Sequence, residues 1–392
     1  MAIINNNYDF IIAGSGFAGA VCARELAQRG GKKVLLVEKR DHIGGNAYDI
    51  NDESGVLIHK YGPHIFHTND KRAYDYLCRF TSWRDYMHEV AGSIYGNLIP
   101  IPFNLNSLHM VYDTEKAERL EKKLIDCYGI DKKVTILELM KNKDKELSEL
   151  AEYVYNNVFL YYTQKQWGTS PDEIDPGVTA RVPVFISRDN RYFQDLYQGI
   201  PSNGYTELFN NILNHENIDI LLSTDINEIL TFSTDSIMLN GEPYRGSVIY
   251  TGALDELFQC RYGRLPYRTL DFIFETYDMD WFQNYGTVNY TVDEPYTRIT
   301  EFKHLSGQIM ENKTTIVKEY SRAYTGAVDE TPYYAVNNIE NDSLYNKYKD
   351  LTSIYSNFYL IGRLAEYKYY NMDAIVSRSL ELSDILVKTE GF

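Results

Sequence analysis

The first apolar run of the chain lies near its N-terminus and is followed by a glycine-rich turn. Residues 8–13 are almost continuously apolar, residues 14–19 read GSGFAG, and apolar positions then recur at helical spacing as far as Ala27. A second apolar run, residues 33–37, ends in the acid Glu38. Short apolar runs bounded by glycines predict buried strands, and a helical period between two such runs predicts a βαβ unit.

The glycine spacing matches a turn that binds the pyrophosphate of a dinucleotide. Gly14 allows the tight turn, Gly16 lets the backbone approach the pyrophosphate, and Gly19 lets helix and strand pack closely. The phosphates would then lie at the helix N-terminus, with Glu38 placed to accept the ribose hydroxyls. A glycine turn that only joined a strand to a helix would not explain an acid at this spacing, so we predict dinucleotide binding.

The βαβ unit does not decide between FAD and NAD, but two later segments favour FAD. A second glycine pair, Gly44 and Gly45, soon follows the ribose acid, as in flavoproteins. Near the C-terminus, residues 357–361 predict a buried strand, Gly362 and Arg363 a turn, and residues 372–387 an amphipathic helix. A helix N-terminus that points at the flavin would stabilise negative charge on its reduced ring.

The whole pattern predicts an α/β protein with a discontinuous, Rossmann-like FAD-binding domain. We expect this domain over residues 1–70, 205–260 and 356–392, a mainly helical insertion domain over 71–170, and an antiparallel β-sheet domain that binds substrate over 261–355. Residues 171–204 carry prolines and glycines without a clear period, which predicts a mobile loop over a binding site. The expected strands of the later part are 218–222, 247–251, 271–277, 287–291, 298–303 and 314–320.

Composition and charge narrow the class of protein. A chain of 392 residues with 44% apolar content can bury a large core, and a net charge of −16 opposes nucleic-acid binding. No apolar stretch is long enough for a membrane span and the N-terminus lacks a signal-peptide pattern, so we expect a cytoplasmic protein without membrane insertion. The four cysteines, which are far apart in sequence, predict neither a metal site nor a disulfide framework.

Four segments together resemble the bacterial, flavin-dependent UDP-galactopyranose mutase family. They read YGPHIFHT at 61–68, YTQKQWG at 162–168, YTR at 296–298 and GRLAEYKYY at 362–370. The resemblance runs in matching order from about residue 7 to the C-terminus. It implies FAD that is active in its reduced form, and interconversion of UDP-galactopyranose and UDP-galactofuranose. In that reaction flavin N5 attacks the anomeric carbon and UDP leaves.

The same resemblance implies partners and site residues. It implies a homodimer and NAD(P)H or another reductant, and it favours galactose over N-acetylgalactosamine while leaving tolerance of UDP-N-acetylgalactosamine open. The implied catalytic residues are Arg181 and Arg298, which would bind the diphosphate as bidentate cations, and His64 and His67, which would contact the flavin. The implied substrate-binding residues are Phe159, Tyr162, Thr163, Trp167, Arg181, Tyr192, Arg298, Glu319, Tyr334 and Tyr369. The implied FAD-binding residues are Gly14, Gly16, Phe17, Ala18, Gly19, Glu38, Lys39, Gly45, Asn46, His64, Ile65, Arg363, Tyr370, Asn371 and Met372.

One residue departs from the family pattern, and two other functional classes compete with the family. Asn371 stands where bacterial members commonly have aspartate, so we expect less negative charge near the diphosphate and flavin, with the reaction class unchanged. A conventional flavin oxidoreductase, such as an amine- or carotenoid-oxidising enzyme, would share the βαβ unit and glycine pair. It needs no arginine pair or Tyr/Trp platform for a uridine diphosphate, and a non-enzymatic flavin-binding protein would leave those residues without use.

Overall fold

The computed structural model describes residues 6–168 and 183–389, which form a mixed α/β structure. The strands are β1 (Phe10–Ala13), β2 (Val34–Val37), β3 (Asp49–Asn51), β4 (Leu57–His59), β5 (Phe66–Thr68), β6 (Trp83–Asp85), β7 (Val90–Ile94), β8 (Asn97–Ile101), β9 (Lys133–Val134), β10 (Val184–Phe185), β11 (Tyr197–Pro201), β12 (Ile218–Leu221), β13 (Leu230–Phe232), β14 (Ile237–Leu239), β15 (Glu242–Pro243), β16 (Ser247–Tyr250), β17 (Tyr267–Tyr277), β18 (Thr287–Tyr290), β19 (Arg298–Glu301), β20 (Thr314–Ala323), β21 (Tyr334–Ala335) and β22 (Phe358–Leu360). The helices are α1 (Phe17–Gly30), α2 (Lys71–Leu77), α3 (Leu105–Val111), α4 (Thr114–Tyr128), α5 (Ile136–Met140), α6 (Lys145–Val154), α7 (Tyr161–Trp167), α8 (Gly204–Leu213), α9 (Leu254–Leu257), α10 (Phe302–Ser306), α11 (Ile339–Thr352) and α12 (Met372–Thr389), and a π-helical turn, Tyr155–Leu160, precedes α7.

A five-stranded parallel sheet carries the glycine-rich turn. Its strand order is β12-β2-β1-β16-β22, and every neighbouring pair is parallel. All four residues of β1, β2 and β16 are buried, because a parallel sheet is covered by other elements on both faces. This sheet confirms the predicted Rossmann-like fold, and ligands of such sheets bind at the carboxyl ends of the strands.

A seven-stranded sheet, in the order β21-β17-β20-β19-β18-β7-β8, forms the second large unit. Its pairs are antiparallel except β18 with β7. The predicted strands of residues 271–320 are all present in it, since their β-branched and aromatic residues suit a pleated surface. The register pairs Arg298 directly with Glu319, which places these two side chains on the same face of the sheet.

The described residues of 71–170 are helical for most of their length but also contribute four strands, of which β9 is only two residues long. Strands β6, β7 and β8 lie within residues 83–101, and β7 and β8 extend the seven-stranded sheet. Tyr95 and Gly96 join them with φ of 50° and 85°, as expected for a two-residue hairpin turn. The apolar runs on either side of this turn are strands because the edge of a distant sheet offers them hydrogen-bond partners.

The predicted mobile loop, residues 171–204, lies partly outside the described residues. Residues 183–204, however, are not irregular throughout, because they contain β10 and β11. Strand β11 pairs with β5 and β6, and β10 pairs with β9. These partners are distant in sequence, so the local spacing of apolar residues does not predict the strands.

Two further expectations concern membranes and cysteines. Among the helices of residues 6–168 and 183–389, none is both long and apolar enough to cross a membrane. The four cysteines are free thiols, of which Cys22 is buried and Cys78 and Cys127 are exposed. Within the same residues, no group of three or more His, Cys, Asp or Glu side chains could hold a metal ion.

Candidate active site

A first cleft lies at the carboxyl ends of β1, β2 and β16, where the glycine turn leads into α1. Gly14 has φ +102°, and a Cβ there would stand 2.0 Å from Thr251 Oγ1. Gly45 has φ +57°, and a Cβ there would stand 2.9 Å from the Cα of Gly16. The two glycine-rich turns therefore touch each other, and side chains at Gly14 or Gly45 would clash with neighbouring protein atoms in the wall of the cleft.

The carboxylate of Glu38 is held rigidly at the wall of this cleft. It accepts hydrogen bonds from the backbone N–H of Ser15 (2.9 Å), the Ser15 hydroxyl (2.6 Å) and the backbone N–H of Arg40 (3.0 Å). A carboxylate has about four acceptor positions, so it can also accept a bond from a ribose hydroxyl. Its position at the end of β2 follows from the buried run that precedes it.

The N-terminus of α1 suits the pyrophosphate of a dinucleotide. Gly16 precedes the helix without a capping side chain, and the first turn contains no acid. Its backbone N–H groups therefore keep their capacity to bind an anion. With Glu38 for the ribose, these features fit an FAD molecule lying across the carboxyl ends of the strands.

Most of the residues expected to bind FAD meet in this cleft. Those that line it are Gly14, Gly16, Phe17, Ala18, Glu38, Lys39, Gly45, Asn46, His64, Arg363, Tyr370 and Met372. Gly19 lies behind the cleft, where a Cβ would stand 1.9 Å from the carbonyl oxygen of Gly14. Ile65 and Asn371 line a second cleft instead. Asn46, His64, Arg363, Tyr370 and Met372 line both clefts, so the two share a wall.

The second cleft is built on the seven-stranded sheet around Arg298 and Glu319. Arg298 donates from Nη2 to the hydroxyl of Tyr162 on α7 (2.6 Å), and its Nε lies 3.4 Å from Glu319 Oε2. The Glu319 side chain is only 4% exposed. Burial raises the pKa of the Glu319 carboxyl, although the nearby Arg298 cation acts to lower it. The pair thus places a cation at the cleft with a buried counter-charge behind it.

Several buried polar atoms around this cleft have no hydrogen-bond partner within residues 6–168 and 183–389. They are Nε of Arg298, Oε1 of Glu319, Oε1 of Gln166 and Oδ1 of Asn289, and all four residues line the cleft. Buried polar groups are nearly always hydrogen-bonded, and leaving one unsatisfied costs about 1–3 kcal/mol. These atoms could form hydrogen bonds with a ligand that is rich in polar groups.

Aromatic side chains form the rest of the cleft wall. The rings of Trp167 and Tyr334 lie 5.8 Å apart, and Tyr334 and Tyr369 are stacked at 6.0 Å. Tyr192 meets Phe193 edge-on at 4.9 Å. Phe159, in the π-helical turn before α7, and the buried Thr163 also line the cleft. The expected substrate residues therefore come together, except Arg181, which lies outside the described residues.

His64 lies in the wall between the two clefts and is a neutral imidazole. Burial and the neighbouring His59 lower the pKa of His64 to about 3. Its Nδ1 lies 2.8 Å from the carbonyl oxygen of Gly62, so Nδ1 carries the proton and Nε2 is an acceptor. The backbone N–H of His64 donates to Nδ1 of His59 (3.0 Å), which fixes the loop in front of the clefts.

His67 lies further along the same segment, in β5. Its ring stacks on Phe193 at 3.6 Å, and its Nδ1 lies 2.9 Å from Asp195 Oδ2. Arg363 belongs to the shared wall, where its guanidinium lies 4.6 Å from the Tyr369 ring and its Nε donates to the carbonyl oxygen of Tyr370 (2.6 Å). Both residues line the second cleft, and Arg363 also lines the first.

Several lining residues were not identified from the sequence. In the first cleft they include Arg40, Thr224, Asp225, Asn227 and Thr251. The last four follow the strands β12 and β16, so the rule that parallel strands present ligands at their carboxyl ends could have found them. In the second cleft they include Tyr61, His88, Gln166, Asn289 and Tyr333. Tyr61 and Gln166 stand inside the quoted motifs, but His88 and Asn289 carry no local signal.

Known proteins match the chain over nearly its whole length. Residues 157–369 match the family described as UDP-galactopyranose mutase, and residues 12–80 match the NAD(P)-binding Rossmann-like domain. The chain is 35% identical over 380 residues to the dTDP-fucopyranose mutase of Escherichia coli, covering 96% of this chain and 98% of the relative. It is 34% identical over 392 residues to the UDP-galactopyranose mutase of Mycoplasma pneumoniae, covering 98% and 97%.

Solved structures share the fold. The structure of reduced UDP-galactopyranose mutase superposes with a TM-score of 0.72 at 16% identity, covering 98% of this chain and 95% of that one. A redesigned putrescine oxidase superposes with a TM-score of 0.54 at 11% identity, covering 97% and 99%. A mutase and an oxidase thus have the same overall fold, so the fold does not distinguish the two chemistries.

Proposed function

The chain belongs to the UDP-galactopyranose mutase family, and we propose that it interconverts UDP-galactopyranose and UDP-galactofuranose with FAD in its reduced form. The observation that carries this proposal is the second cleft, where the Arg298–Glu319 pair and the aromatic wall face residues that also line the dinucleotide cleft. An oxidase acting on an amine or a carotenoid would not need a cation and a tyrosine platform beside its flavin.

The chain's own residues have distinct tasks in this proposal. FAD held in the first cleft would supply, in its reduced form, a nucleophilic N5 for the anomeric carbon. Arg298 binds the diphosphate and stabilises the negative charge of UDP as it leaves, because a guanidinium binds phosphate oxygens in two parallel hydrogen bonds. Tyr162 and Trp167 hold the nucleotide, and the aromatic wall excludes water from the reacting sugar. His64 stays neutral and acts as a hydrogen-bond acceptor at Nε2, because its one ring proton is on Nδ1 and is donated to the Gly62 carbonyl.

Arg181 and His67 have supporting tasks. Arg181 adds the second cation at the diphosphate, as the family resemblance implies. His67, held by Asp195 and Phe193, keeps the segment of residues 61–68 in place against the flavin.

A test of the reaction uses the redox state of the flavin. Protein reduced with dithionite or NADPH should convert UDP-galactofuranose to the pyranose form, whereas the same protein oxidised in air should not. The control is re-reduction of the oxidised sample, which should restore the activity. Equal activity in both states would refute a nucleophilic reduced flavin.

The substrate is the second question, because one relative acts on a different nucleotide sugar by its name. The Escherichia coli dTDP-fucopyranose mutase is as similar to this chain as the relatives named for galactose, so dTDP-fucopyranose is a second candidate. Reduced enzyme should therefore be offered UDP-galactopyranose, UDP-N-acetylgalactosamine and dTDP-fucopyranose side by side. We expect the largest kcat/KM for UDP-galactopyranose, and a larger value for the dTDP sugar would replace that assignment.

The remaining assignments extend the family resemblance. We propose that the enzyme is a cytoplasmic homodimer reduced by NAD(P)H or another cellular reductant. Light scattering coupled to gel filtration tests the dimer, and a mass of one chain would refute it. The rate of flavin reduction by NADPH and by NADH, compared under anaerobic conditions, tests the reductant.

A further inference from the structure

Helix α7 carries Tyr162, Thr163 and Trp167 to the second cleft. It is the last part of a continuous helical segment that begins with α6 and runs through the π-helical turn, Tyr155–Leu160. The segment ends at Trp167, so the position of this end depends on contacts with other elements.

The C-terminal carbonyl groups of α7 are bound by side chains of the seven-stranded sheet. Arg268 on β17 donates from Nε to the carbonyl oxygen of Gln166 (3.0 Å) and from Nη2 to that of Lys165 (3.3 Å). Ser321 on β20 donates its hydroxyl to the Gln166 carbonyl (2.6 Å). The last carbonyls of a helix lack partners within it, and a cation there is favourable. These contacts fix the C-terminal end of α7 on the sheet.

Lys165 connects α7 to the turn between β18 and β19. Its Nζ donates to the backbone carbonyls of Tyr290 (2.6 Å), Glu294 (2.7 Å) and Tyr296 (3.2 Å). All three ammonium protons are therefore used. The turn ends at Arg298, the first residue of β19. Burial lowers the pKa of Lys165 to about 8, so the ammonium is still mostly charged at pH 7.

Lys165 and Tyr162 both connect α7 to the segment that leads into β19. Tyr162 stands three residues before Lys165, on the same side of the helix, and its hydroxyl accepts the hydrogen bond from Arg298. The helix and the start of β19 are therefore joined at two points, by Lys165 and by Arg298. Among the described residues, Lys165 itself lines neither cleft.

We propose that Lys165 is a positioning residue of the nucleotide site, which locks α7 to the turn before Arg298 so that Tyr162 and Arg298 meet one UDP-sugar at a fixed separation. Arg268 and Ser321 complete the attachment at the C-terminal end of the same helix. The inference rests on the proposed function, because it takes UDP as the nucleotide that the cleft binds.

The first test is the affinity of FAD-loaded Lys165→Met for UDP, measured by titration calorimetry. We expect about 10- to 100-fold weaker binding, because a misplacement of about 1 Å can cost about 100-fold. The FAD content should stay that of the wild type. The matched control is Lys145→Met, whose lysine side chain is 90% exposed, and its UDP affinity should be unchanged. Wild-type affinity in Lys165→Met would overturn the proposal.

A double-mutant cycle separates positioning from a merely structural role. If Lys165 acts through Tyr162, then Lys165→Met should cost much less UDP affinity in a Tyr162→Ala background than in the wild type. Fully additive losses would overturn the proposal. Lys165→Arg, which keeps the charge and donors, should restore part of the affinity lost in Lys165→Met.

Two other experimental results are distinguished from a loss of UDP affinity in Lys165→Met. If Lys165→Met fails to fold or loses FAD, Ser321→Ala takes its place, since it removes a donor to the Gln166 carbonyl and an acceptor for Arg268. About two- to tenfold weaker UDP binding would then support the attachment, and wild-type affinity would overturn it. If the wild-type protein itself binds no UDP, the proposed function fails, independently of the role of Lys165.

Discussion

Replacing Arg298 by methionine should destabilise the protein in a way that depends on pH, because Glu319 would lose its counter-charge. Glu319 is buried and lies 3.4 Å from Arg298 Nε. Without the cation, the carboxyl would stay protonated in the folded state, although its ordinary pKa is 4.5. Keeping it protonated at pH 7 costs about 1.4 kcal/mol for each pH unit above that pKa, or at most about 3.4 kcal/mol. At pH 5 the same cost falls below about 1 kcal/mol.

The direction of this effect follows from the raised pKa of Glu319. A carboxyl whose folded pKa lies above its unfolded pKa contributes stability at low pH and loses it as the pH rises. The free energy of unfolding of Arg298→Met should therefore approach the wild-type value as the pH falls from 7 to 5. Because the Arg298 side chain is 27% exposed, water can screen part of the effect, and the figures are upper bounds.

The assay is thermal and urea unfolding of FAD-saturated protein between pH 5 and 8. The double variant Arg298→Met with Glu319→Gln removes the buried charge, so it should recover most of the stability at pH 7. It should not recover UDP affinity, because the guanidinium that binds the diphosphate is still missing. A double variant as unstable as Arg298→Met, or a loss that is equal at pH 5 and pH 7, would refute the reasoning.

Three other predictions concern the histidines, the glycine turn and the arginine pair. Burial lowers the pKa of His59 to about 4 and the pKa values of His64 and His88 to about 3. Below about pH 6.5 the unfolded chain therefore binds more protons than the folded protein, and the free energy of unfolding should fall by up to about 4 kcal/mol for each pH unit. His88→Gln should reduce this slope, and a free energy of unfolding that does not change from pH 6 to 4 would contradict the prediction. Gly14→Ala should lose FAD, since its Cβ would meet Thr251 Oγ1 at 2.0 Å, whereas Gly241→Ala, with φ +84° and no atom within 4 Å of its Cβ, should keep FAD. Arg298→Ala and Arg181→Ala should each abolish turnover and leave the flavin absorbance intact. Loss of the flavin together with activity would show that these arginines bind FAD and not the diphosphate of the substrate.

The sequence by itself determined the dinucleotide-binding unit. Strand, glycine turn, helix and the acid Glu38 are consecutive along the chain, and each depends on local backbone geometry and a local apolar period. The C-terminal strand and helix, β22 and α12, could be predicted for the same reason. The substrate residues were accessible only through motifs that resemble a family, because nothing local distinguishes Tyr162 or Trp167 from core aromatics.

Tertiary structure alone decided which distant residues face each other. The pairing of Arg298 with Glu319 depends on the register between β19 and β20. A shift of one residue in either strand would turn its side chains to the opposite face of the sheet. His88 and Asn289 reach the second cleft because β7 and β18 are neighbours in the sheet, although the two strands lie far apart in sequence. The position of α7 depends on Lys165 and Arg268 meeting partners more than a hundred residues away. The spacing of apolar residues along the chain specifies where strands and turns form. The register and the neighbours of each strand, however, depend on which pairing buries the apolar face of the whole sheet.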